Sequence, residues 1–182
     1  MSDTRVVVLV GSLRADSLHR GLAEILRTEA PQGVVVEIAE GLDQLPFYNE
    51  DLDGETVPTA AADLRAQVAG ADRLLAVSPE YNGTMPAVLK NAIDWLSRPY
   101  GVGAITGMPF GVVGVAPSPY GGKWAHDDVA RSAGVAGAVV VEQARLDQNF
   151  LEVDVLTDTE VRAKLAEVLR SLVEHDVEAA AA

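Results

Sequence analysis

The 182-residue sequence contains no cysteine and only three histidines. Without cysteine there are no disulfides, no thiolate catalysis, no cysteine-ligated zinc and no iron–sulfur clusters. The histidines, at positions 19, 126 and 175, lack the spacing of a metal site. No bound metal is therefore expected.

Basic residues are also scarce, since 14 Lys and Arg face 27 Asp and Glu and give a net charge of −13. Such a charge disfavours nucleic acid and anionic membranes as partners, although a local arginine can still hold a small anion. No apolar run approaches the roughly 18 residues that span a bilayer. Because residues 1–5 also lack the features of a signal peptide, the expected location is the cytoplasm.

Aromatic residues make up only 5% of the chain, whereas Val, Ala and Leu are abundant and hydrophobic residues reach 48%. This usage is typical of parallel strands buried on both faces. The length suits one domain, so residues 1–182 are predicted to form a single unit. Short apolar runs alternate with helical patterns, which indicates βαβ units and a parallel α/β sheet. Strands are predicted at 5–10, 34–39, 73–78, 110–116 and 138–142.

Apolar residues recur with a helical period between these strands, and a fourth helix is expected over about 122–132. The longest irregular stretch is 40–58. Its acidic run, 50–55, resembles part of a calcium loop but lacks the ligand spacing, so a solvated loop is favoured. Apolar residues 45–48 in this stretch indicate a homodimer interface, unless Phe47 packs on the end of the third strand.

The loop after the first strand, residues 11–17, reads Gly-Ser-Leu-Arg-Ala-Asp-Ser and leads into a helix. It matches neither the dinucleotide turn nor the nucleotide-hydrolase loop. Its hydroxyls, its guanidinium and the helix start together form a plausible phosphate monoester site. Taken alone, the residues leave open a second interpretation, in which Asp16 or Ser17 only caps the helix and Arg14 is a surface cation.

The loop after the third strand, residues 79–86, reads Pro-Glu-Tyr-Asn-Gly-Thr-Met-Pro. Pro86 indicates a helix start near its own position. Because Gly83 has no side chain, backbone amides in this loop can approach a flat ligand. The alternative is a simple turn with Tyr81 on the surface.

Together with Leu-Lys-Asn-Ala-Ile-Asp-Trp at 89–95, these two loops resemble the NADPH-dependent FMN reductases, a family that includes quinone, azo-dye and metal-oxyanion reductases. The similarity extends over about the first 145 residues. It implies a flavodoxin-like α/β fold with a five-stranded parallel sheet of order 2-1-3-4-5 and helices on both faces. It also implies noncovalent FMN, NADPH or NADH as hydride donor, and a homodimer or homotetramer.

The resemblance also implies a set of binding residues. The phosphate would be held by Ser12, Arg14, Ser17 and Leu18, and the flavin ring would be lined by Pro79, Glu80, Tyr81, Asn82, Gly83 and Thr84, with Ser118 at its other edge. No catalytic side chain is expected, because N5 of the flavin accepts the hydride itself.

Two departures from the family pattern bear on this site. Residues 116–124 contain two prolines and the bulky Trp124 where the family commonly has a Gly-Gly-rich turn with an arginine, which leaves nicotinamide access and acceptor choice open. His19 stands where the family often has Asn. We interpret His19 as a helix-surface residue, the alternative being a partly lost phosphate contact.

The predicted function is an FMN-dependent oxidoreductase that moves hydride from reduced nicotinamide to FMN and then to a small acceptor, such as a free flavin, a quinone, an azo compound or a metal oxyanion. A flavodoxin-type electron carrier without nicotinamide activity is the first alternative. A dinucleotide-binding dehydrogenase with Glu37 or Glu40 on a ribose is the second.

Overall fold

Strands and helices alternate along residues 3–176, the part of the chain that the computed structural model describes. The strands are β1 (Thr4–Val10), β2 (Val34–Ile38), β3 (Arg73–Val77), β4 (Pro109–Ala116) and β5 (Val139–Asn149). The helices are α1 (Leu18–Thr28), α2 (Thr59–Ala69), α3 (Ala87–Leu96), α4 (Lys123–Val135) and α5 (Thr159–Val173). Short 3-10 turns cover Leu42–Gln44 and Glu50–Leu52.

The five strands form one parallel sheet in the order β2-β1-β3-β4-β5. Successive residues of a strand point to opposite faces, so each buried strand serves two cores. Val6 and Val8 of β1 pack with α1 and α5, whereas Val7 and Leu9 pack with α2, α3 and α4. The flavodoxin-like fold class and its strand order are confirmed.

Strand β5 is longer than the sequence predicts, because it continues past residue 142 to Asn149. Its second half is interrupted by polar residues, and its pairing with β4 shifts register between Phe110 and Val112. Ala144 and Leu146 nevertheless alternate into the core. The sequence pattern fails here because β5 is an edge strand whose polar side chains are held by neighbours.

The irregular stretch 40–58 is anchored on α3. The backbone amide of Tyr48 donates to Asn91 Oδ1 at 2.8 Å, and Trp95 Nε1 donates to the carbonyl of Pro46 at 2.8 Å. Phe47 between them is 81% exposed, so it does not pack on the end of β3. Within residues 3–176 we find no helix with both the length and the apolarity to cross a bilayer.

Candidate active site

The loops that follow β1, β3 and β4 meet at the carboxyl edge of the sheet, where open α/β sheets bind ligands. A cavity of about 240 Å³ lies between them. It brings together predicted residues of the first two loops, namely Ser12, Arg14, Ser17, Leu18, Pro79, Glu80 and Tyr81. Pro117 of the third loop also lines this cavity, next in sequence to Ser118.

The first loop ends at Ser17, which is the N-cap of α1. Its Oγ accepts a hydrogen bond from the amide of Arg20 at 3.3 Å. The capping interpretation is therefore correct for Ser17, and it leaves the hydroxyl hydrogen free to donate. The amides of the first helical turn have no partner inside the helix and point outward at its start.

Arg14 is exposed beside this helix start. Within the described residues it is the one arginine without a hydrogen bond, an ion pair or a ring contact. Arg20, by contrast, pairs with Glu40 at 3.0 Å and Glu24 at 3.3 Å. A free guanidinium at a helix N-terminus matches the needs of a phosphate monoester.

The second loop contains a tight turn. The amide of Tyr81 donates to the carbonyl of Thr84 at 3.0 Å, and the amide of Thr84 donates back to the carbonyl of Tyr81 at 3.1 Å. Asn82 and Gly83 between them have φ values of 52° and 76°. This left-handed geometry is that of a type I′ turn, for which Asn-Gly is the preferred sequence.

The helix after this turn begins at Ala87, with Pro86 as its N-cap in an extended conformation. The predicted helix start is thus confirmed to within one residue. The side chains of Asn91 and Trp95, which belong to the same sequence motif, contact the stretch 40–58. Their role in the motif is to fix that stretch rather than to face the cavity.

Helix α4 makes hydrogen bonds to two side chains of the second loop. Glu80 Oε2 accepts from the amide of Ala125 at 3.2 Å, and Thr84 Oγ1 donates to Asp128 Oδ2 at 2.6 Å. The hydrogen bond from Thr84 holds the pKa of Asp128 below its usual value, although burial opposes the effect. Because the Glu80 and Thr84 side chains are engaged with α4, it is mainly their backbone that is free for a ligand.

The third loop carries Ser118, whose Oγ is buried and has no hydrogen-bond partner within residues 3–176. Farther along, Tyr120 and Trp124 stack with ring centroids 5.4 Å apart and an interplanar angle of 28°. Both rings are more than half exposed. A Cβ built on Gly83 would lie 3.5 Å from the Trp124 ring, so the aromatic pair borders the turn of the second loop.

His19 is buried, at 7% exposure, and the prediction of a surface position is wrong. Its Nε2 lies 3.1 Å from the carbonyl oxygen and 3.3 Å from the amide nitrogen of Val115 on β4. Burial lowers the pKa of His19 to about 4, against a backbone hydrogen bond that raises it, and the nearby His126 lowers it further. The ring is therefore neutral at pH 7, and it also lines the cavity.

Sequence reasoning missed His126 and Asp147, which lie behind the second loop. His126 is completely buried on α4 and contacts both Asp147 and the carbonyl of Ser78. A signal was available, because His126 shares a helical stripe with the apolar residues Val129 and Ala133. Asp147 gave none, since it lies in the half of β5 that the pattern did not predict.

The donors at the three loops fit FMN. The first loop offers hydroxyls, a free guanidinium and helix amides for a phosphate, and Ser118 offers a buried hydroxyl that still lacks a partner. The tight turn brings backbone close to the same cavity without a side chain at Gly83. These donors suit a ligand that combines a flat ring with a monoester tail, although Asn82, Gly83, Thr84 and Ser118 lie in the loops around the cavity without lining the cavity itself.

The sheet order and the loops at its carboxyl edge define a flavodoxin-like protein with a mononucleotide site. Comparison with known proteins narrows this class. The profile of the NADPH-dependent FMN reductase family matches residues 4–150, and the chain belongs to that family. It is an NAD(P)H-dependent FMN oxidoreductase, and the electron-carrier alternative is not favoured.

Similar proteins come from several bacteria. A quinone reductase of Pseudomonas putida is 43% identical over 127 residues, which cover 70% of this chain and 68% of the relative. A 2-hydroxy-1,4-benzoquinone reductase of a Burkholderia species is 38% identical over 154 residues, covering 80% and 83%. The solved structure of FerB, an NAD(P)H:acceptor flavoenzyme from Paracoccus denitrificans, matches with a TM-score of 0.83 at 29% identity, covering 97% of this chain and 98% of FerB.

Proposed function

We propose that this oxidoreductase passes electrons from reduced nicotinamide, through FMN held at the three loops, to a quinone-type acceptor. The observation that carries the assignment of the site is the free Arg14 guanidinium beside the start of α1, on the cavity shared with the second loop. The acceptor class is supported by the names of the two relatives, which are 43% and 38% identical and are both quinone reductases.

The phosphate end of FMN falls to the first loop. Arg14 supplies a charge-assisted fork, and the hydroxyls of Ser12 and Ser17 supply further donors. The amide of Leu18, in the first turn of α1, has no helical partner and adds a donor at the positive end of the helix dipole. These groups recognise a dianion without any metal.

The ring end falls to the second and third loops. When bound, FMN supplies hydride transfer at N5 of its ring, so the chain needs no acid–base side chain of its own. The turn residues fix the ring position through their backbone, because the side chains of Glu80 and Thr84 are held by α4. The loop residues assigned to the ring are Pro79, Glu80, Tyr81, Asn82, Gly83, Thr84 and Ser118.

The aromatic pair Tyr120–Trp124 supports a flat acceptor. Exposed stacked rings beside a redox site offer a face on which a quinone can lie, and aromatic contacts of this kind favour planar ligands. The two prolines at 117 and 119 restrict the backbone before the pair. The part of the third loop that carries the aromatic pair therefore shapes the entrance, whereas Ser118 is the residue of this loop assigned to the flavin ring.

The activity is tested by the visible spectrum of the purified protein. The protein should be yellow, should bleach when NADPH is added without oxygen, and should regain colour when a benzoquinone follows. A colourless protein would favour a dinucleotide dehydrogenase. A yellow protein that does not bleach would favour an electron carrier.

The phosphate site is tested by Arg14→Ala with two ligands. Loss of a charge-assisted hydrogen bond of roughly 1.5–3 kcal/mol should weaken FMN on the order of 10- to 150-fold. Riboflavin, which lacks the phosphate, should bind as before. Arg27→Ala is the matched control, since Arg27 pairs with Glu24 at the far end of α1. Equal losses for FMN and riboflavin would refute the role of Arg14.

We further propose that the protein is a homodimer, as the apolar residues 45–48 in the stretch 40–58 indicate. Phe47 is 81% exposed, and Tyr100 and Val135, at 89% and 85%, border a cleft of about 570 Å³ between α3 and α4. Apolar exposure of this extent is typical of interfaces. Light scattering should report at least twice the 19.2 kDa chain mass, and Phe47→Ser should shift the protein toward monomer. A wild-type monomer at micromolar concentration would contradict this.

We propose the cytoplasm as the compartment. The reaction consumes reduced nicotinamide, which cells retain in the cytoplasm. Fractionation of cells that express the tagged chain should recover it with cytoplasmic markers. Recovery with the membrane fraction would contradict the proposal.

A further inference from the structure

The ring of His126 is hydrogen-bonded at both of its nitrogens. Its Nε2 lies 2.9 Å from the carbonyl oxygen of Ser78, and its Nδ1 is hydrogen-bonded to Asp147 Oδ1. A carbonyl oxygen can only accept a hydrogen bond, so Nε2 is the donor to Ser78. The completely buried ring thus links the Ser78 carbonyl to the Asp147 carboxylate.

Two glycines shape the space around this ring. A Cβ on Gly114 of β4 would lie 2.0 Å from the Ser78 oxygen and 2.5 Å from His126 Nε2. A Cβ on Gly122 would lie 3.0 Å from the ring. Any larger residue at 114 would therefore displace the hydrogen bond between His126 and Ser78.

Asp147 is kept ionised by its neighbours. Burial alone would raise its pKa, but hydrogen bonds from His126 and Arg145 outweigh burial and hold the pKa below its usual value. Arg145 Nε lies 3.0 Å from Asp147 Oδ2, and its Nη1 pairs with Asp127 at 2.7 Å.

The elements packed around His126 and Asp147 carry further charged and titratable groups. Lys123 and Asp127 lie on α4, Arg145 lies on β5, neutral His19 lies on α1, and Glu80 lies on the second loop. Among the described residues none of these groups makes a hydrogen bond to the ring, whose nitrogens bond to Ser78 and Asp147.

Ser78 is the residue from which the second loop starts. Its amide donates to the carbonyl of Val113 at 2.8 Å, which ties it to β4, and its Oγ donates to the carbonyl of Pro79 at 2.9 Å. The bond from His126 completes the restraint on this peptide. Helix α4 also bonds to Glu80 and Thr84 farther along the loop. One helix therefore restrains both the first residue of the loop, Ser78, and its turn.

We propose that His126 is a positioning residue for the flavin, which acts by donating from Nε2 to the Ser78 carbonyl and so holding the loop at 79–84 in its binding conformation. The inference rests on the proposed function of that loop. Without the hydrogen bond the loop is free to relax in the apo protein, and FMN binding must then order it again at a cost in affinity.

Nitrogen NMR of the apo protein tests the central bond directly and needs no variant that might fail to fold. In protein labelled at histidine nitrogen, with signals assigned by His19→Asn and His175→Asn, His126 should carry a hydrogen on Nε2 that exchanges slowly with solvent. An Nε2 without hydrogen at neutral pH would overturn the proposal, because it could not donate to Ser78.

Binding titrations with matched variants test the consequence. His126→Leu keeps the size but removes the donor, and should weaken FMN and riboflavin alike by roughly 10-fold. His126→Gln keeps an amide donor and should recover most of that loss. Asp127→Asn is the control, since it removes a carboxylate from Arg145 and Lys123 but makes no contact with His126 or the loop.

The comparison with Arg14→Ala separates the two proposals. If Arg14→Ala weakens FMN alone and His126→Leu changes neither ligand, the site stands and the positioning role is overturned. If neither variant weakens any ligand, the proposed site itself is wrong. Equal affinities of the Leu and Gln variants would also overturn the role of the Nε2 donor.

Discussion

The carboxylate of Glu80 accepts a hydrogen bond from the backbone amide of Ala125, 3.2 Å away in the first turn of α4. That helix begins after Gly122, which has no side chain to cap it. Glu80 therefore caps α4 from a loop 45 residues away in sequence and places a negative charge at the positive end of the helix. A residue that the motif assigns to the flavin site thus also stabilises the fold.

Removal of this cap should destabilise the apo protein. Glu80→Ala should lower the free energy of unfolding by about 1 kcal/mol, the usual contribution of a helix cap. Glu80→Gln keeps an acceptor and loses only the charge, so its loss should be smaller. Urea titration of the apo variants measures both. Identical stabilities for Glu80→Ala and wild type would show that the contact contributes nothing.

Two glycines near the loop should respond differently to alanine. At Gly83 a Cβ would make only an ordinary contact of 3.5 Å with the Trp124 ring, but φ is 76°, so Gly83→Ala should cost about 1–2 kcal/mol of left-handed strain. At Gly114 a Cβ would lie 2.0 Å from the Ser78 oxygen, so the backbone itself must move. Gly114→Ala should therefore cost more, and should weaken FMN as well. Thermal melts and FMN titration decide the order, and a milder effect at position 114 would contradict the crowded geometry.

Asp53 and Arg65 form a largely buried pair with two bonds of 2.7 Å and side chains only 10% and 17% exposed. Asp53→Asn should cost about 2–3 kcal/mol, because it leaves the guanidinium without its counter-charge. Asp51→Asn, an exposed change in the same loop, is the control and should cost little. Urea titration at pH 7 compares the two variants.

The pair also sets a pH dependence. Hydrogen bonds from Arg65 hold the pKa of Asp53 below its ordinary 3.8. The stabilisation by the Asp53–Arg65 pair is therefore complete when the pH is above the ordinary pKa of 3.8, and it is lost as the pH falls through the lowered pKa. The difference between wild type and Asp53→Asn should shrink below pH 4, and a constant difference would contradict the pairing.

Much of the fold follows from local sequence. The strands are short runs rich in Val and Leu, and four of the five were predicted to within two residues because each is an almost continuous apolar run. The second half of β5 escaped prediction because Arg145 and Asp147 interrupt the pattern. Both side chains form ion pairs with residues of α4. Such contacts with a distant element cannot be predicted from the few residues around a position in the sequence.

The site divides in the same way. The loops at 11–17 and 79–86 carry their chemistry in consecutive residues, so their composition could be read directly. The helical stripe of α4 indicated that His126 is buried, but the hydrogen-bond partners of His19 and His126 could not be predicted, since these are the backbone groups of Val115 and Ser78, 96 and 48 residues away. A histidine on a helix is polar by composition and buried only by its tertiary partners.

His19 should make the apo protein sensitive to acid. The unfolded chain binds a proton at His19 near the ordinary pKa of 6.5, whereas burial lowers the folded pKa to about 4. Between these values the unfolded state holds more protons, so stability falls as the pH falls. From the size of the shift, His19 contributes about 3 kcal/mol of stability that is present in full at pH 7 and is lost below pH 4.

His19→Asn isolates this contribution, because asparagine does not titrate and is the residue that the family often has at this position. The free energy of unfolding of the apo wild type minus that of the variant should decline by about 3 kcal/mol between pH 7 and pH 4. Acid effects from carboxylates are common to both proteins and cancel in the difference. Urea titrations at one-unit pH steps provide the values. A difference that stays constant across the range would show that the folded ring takes up a proton as easily as the unfolded one, and that the contact with Val115 does not require a neutral imidazole.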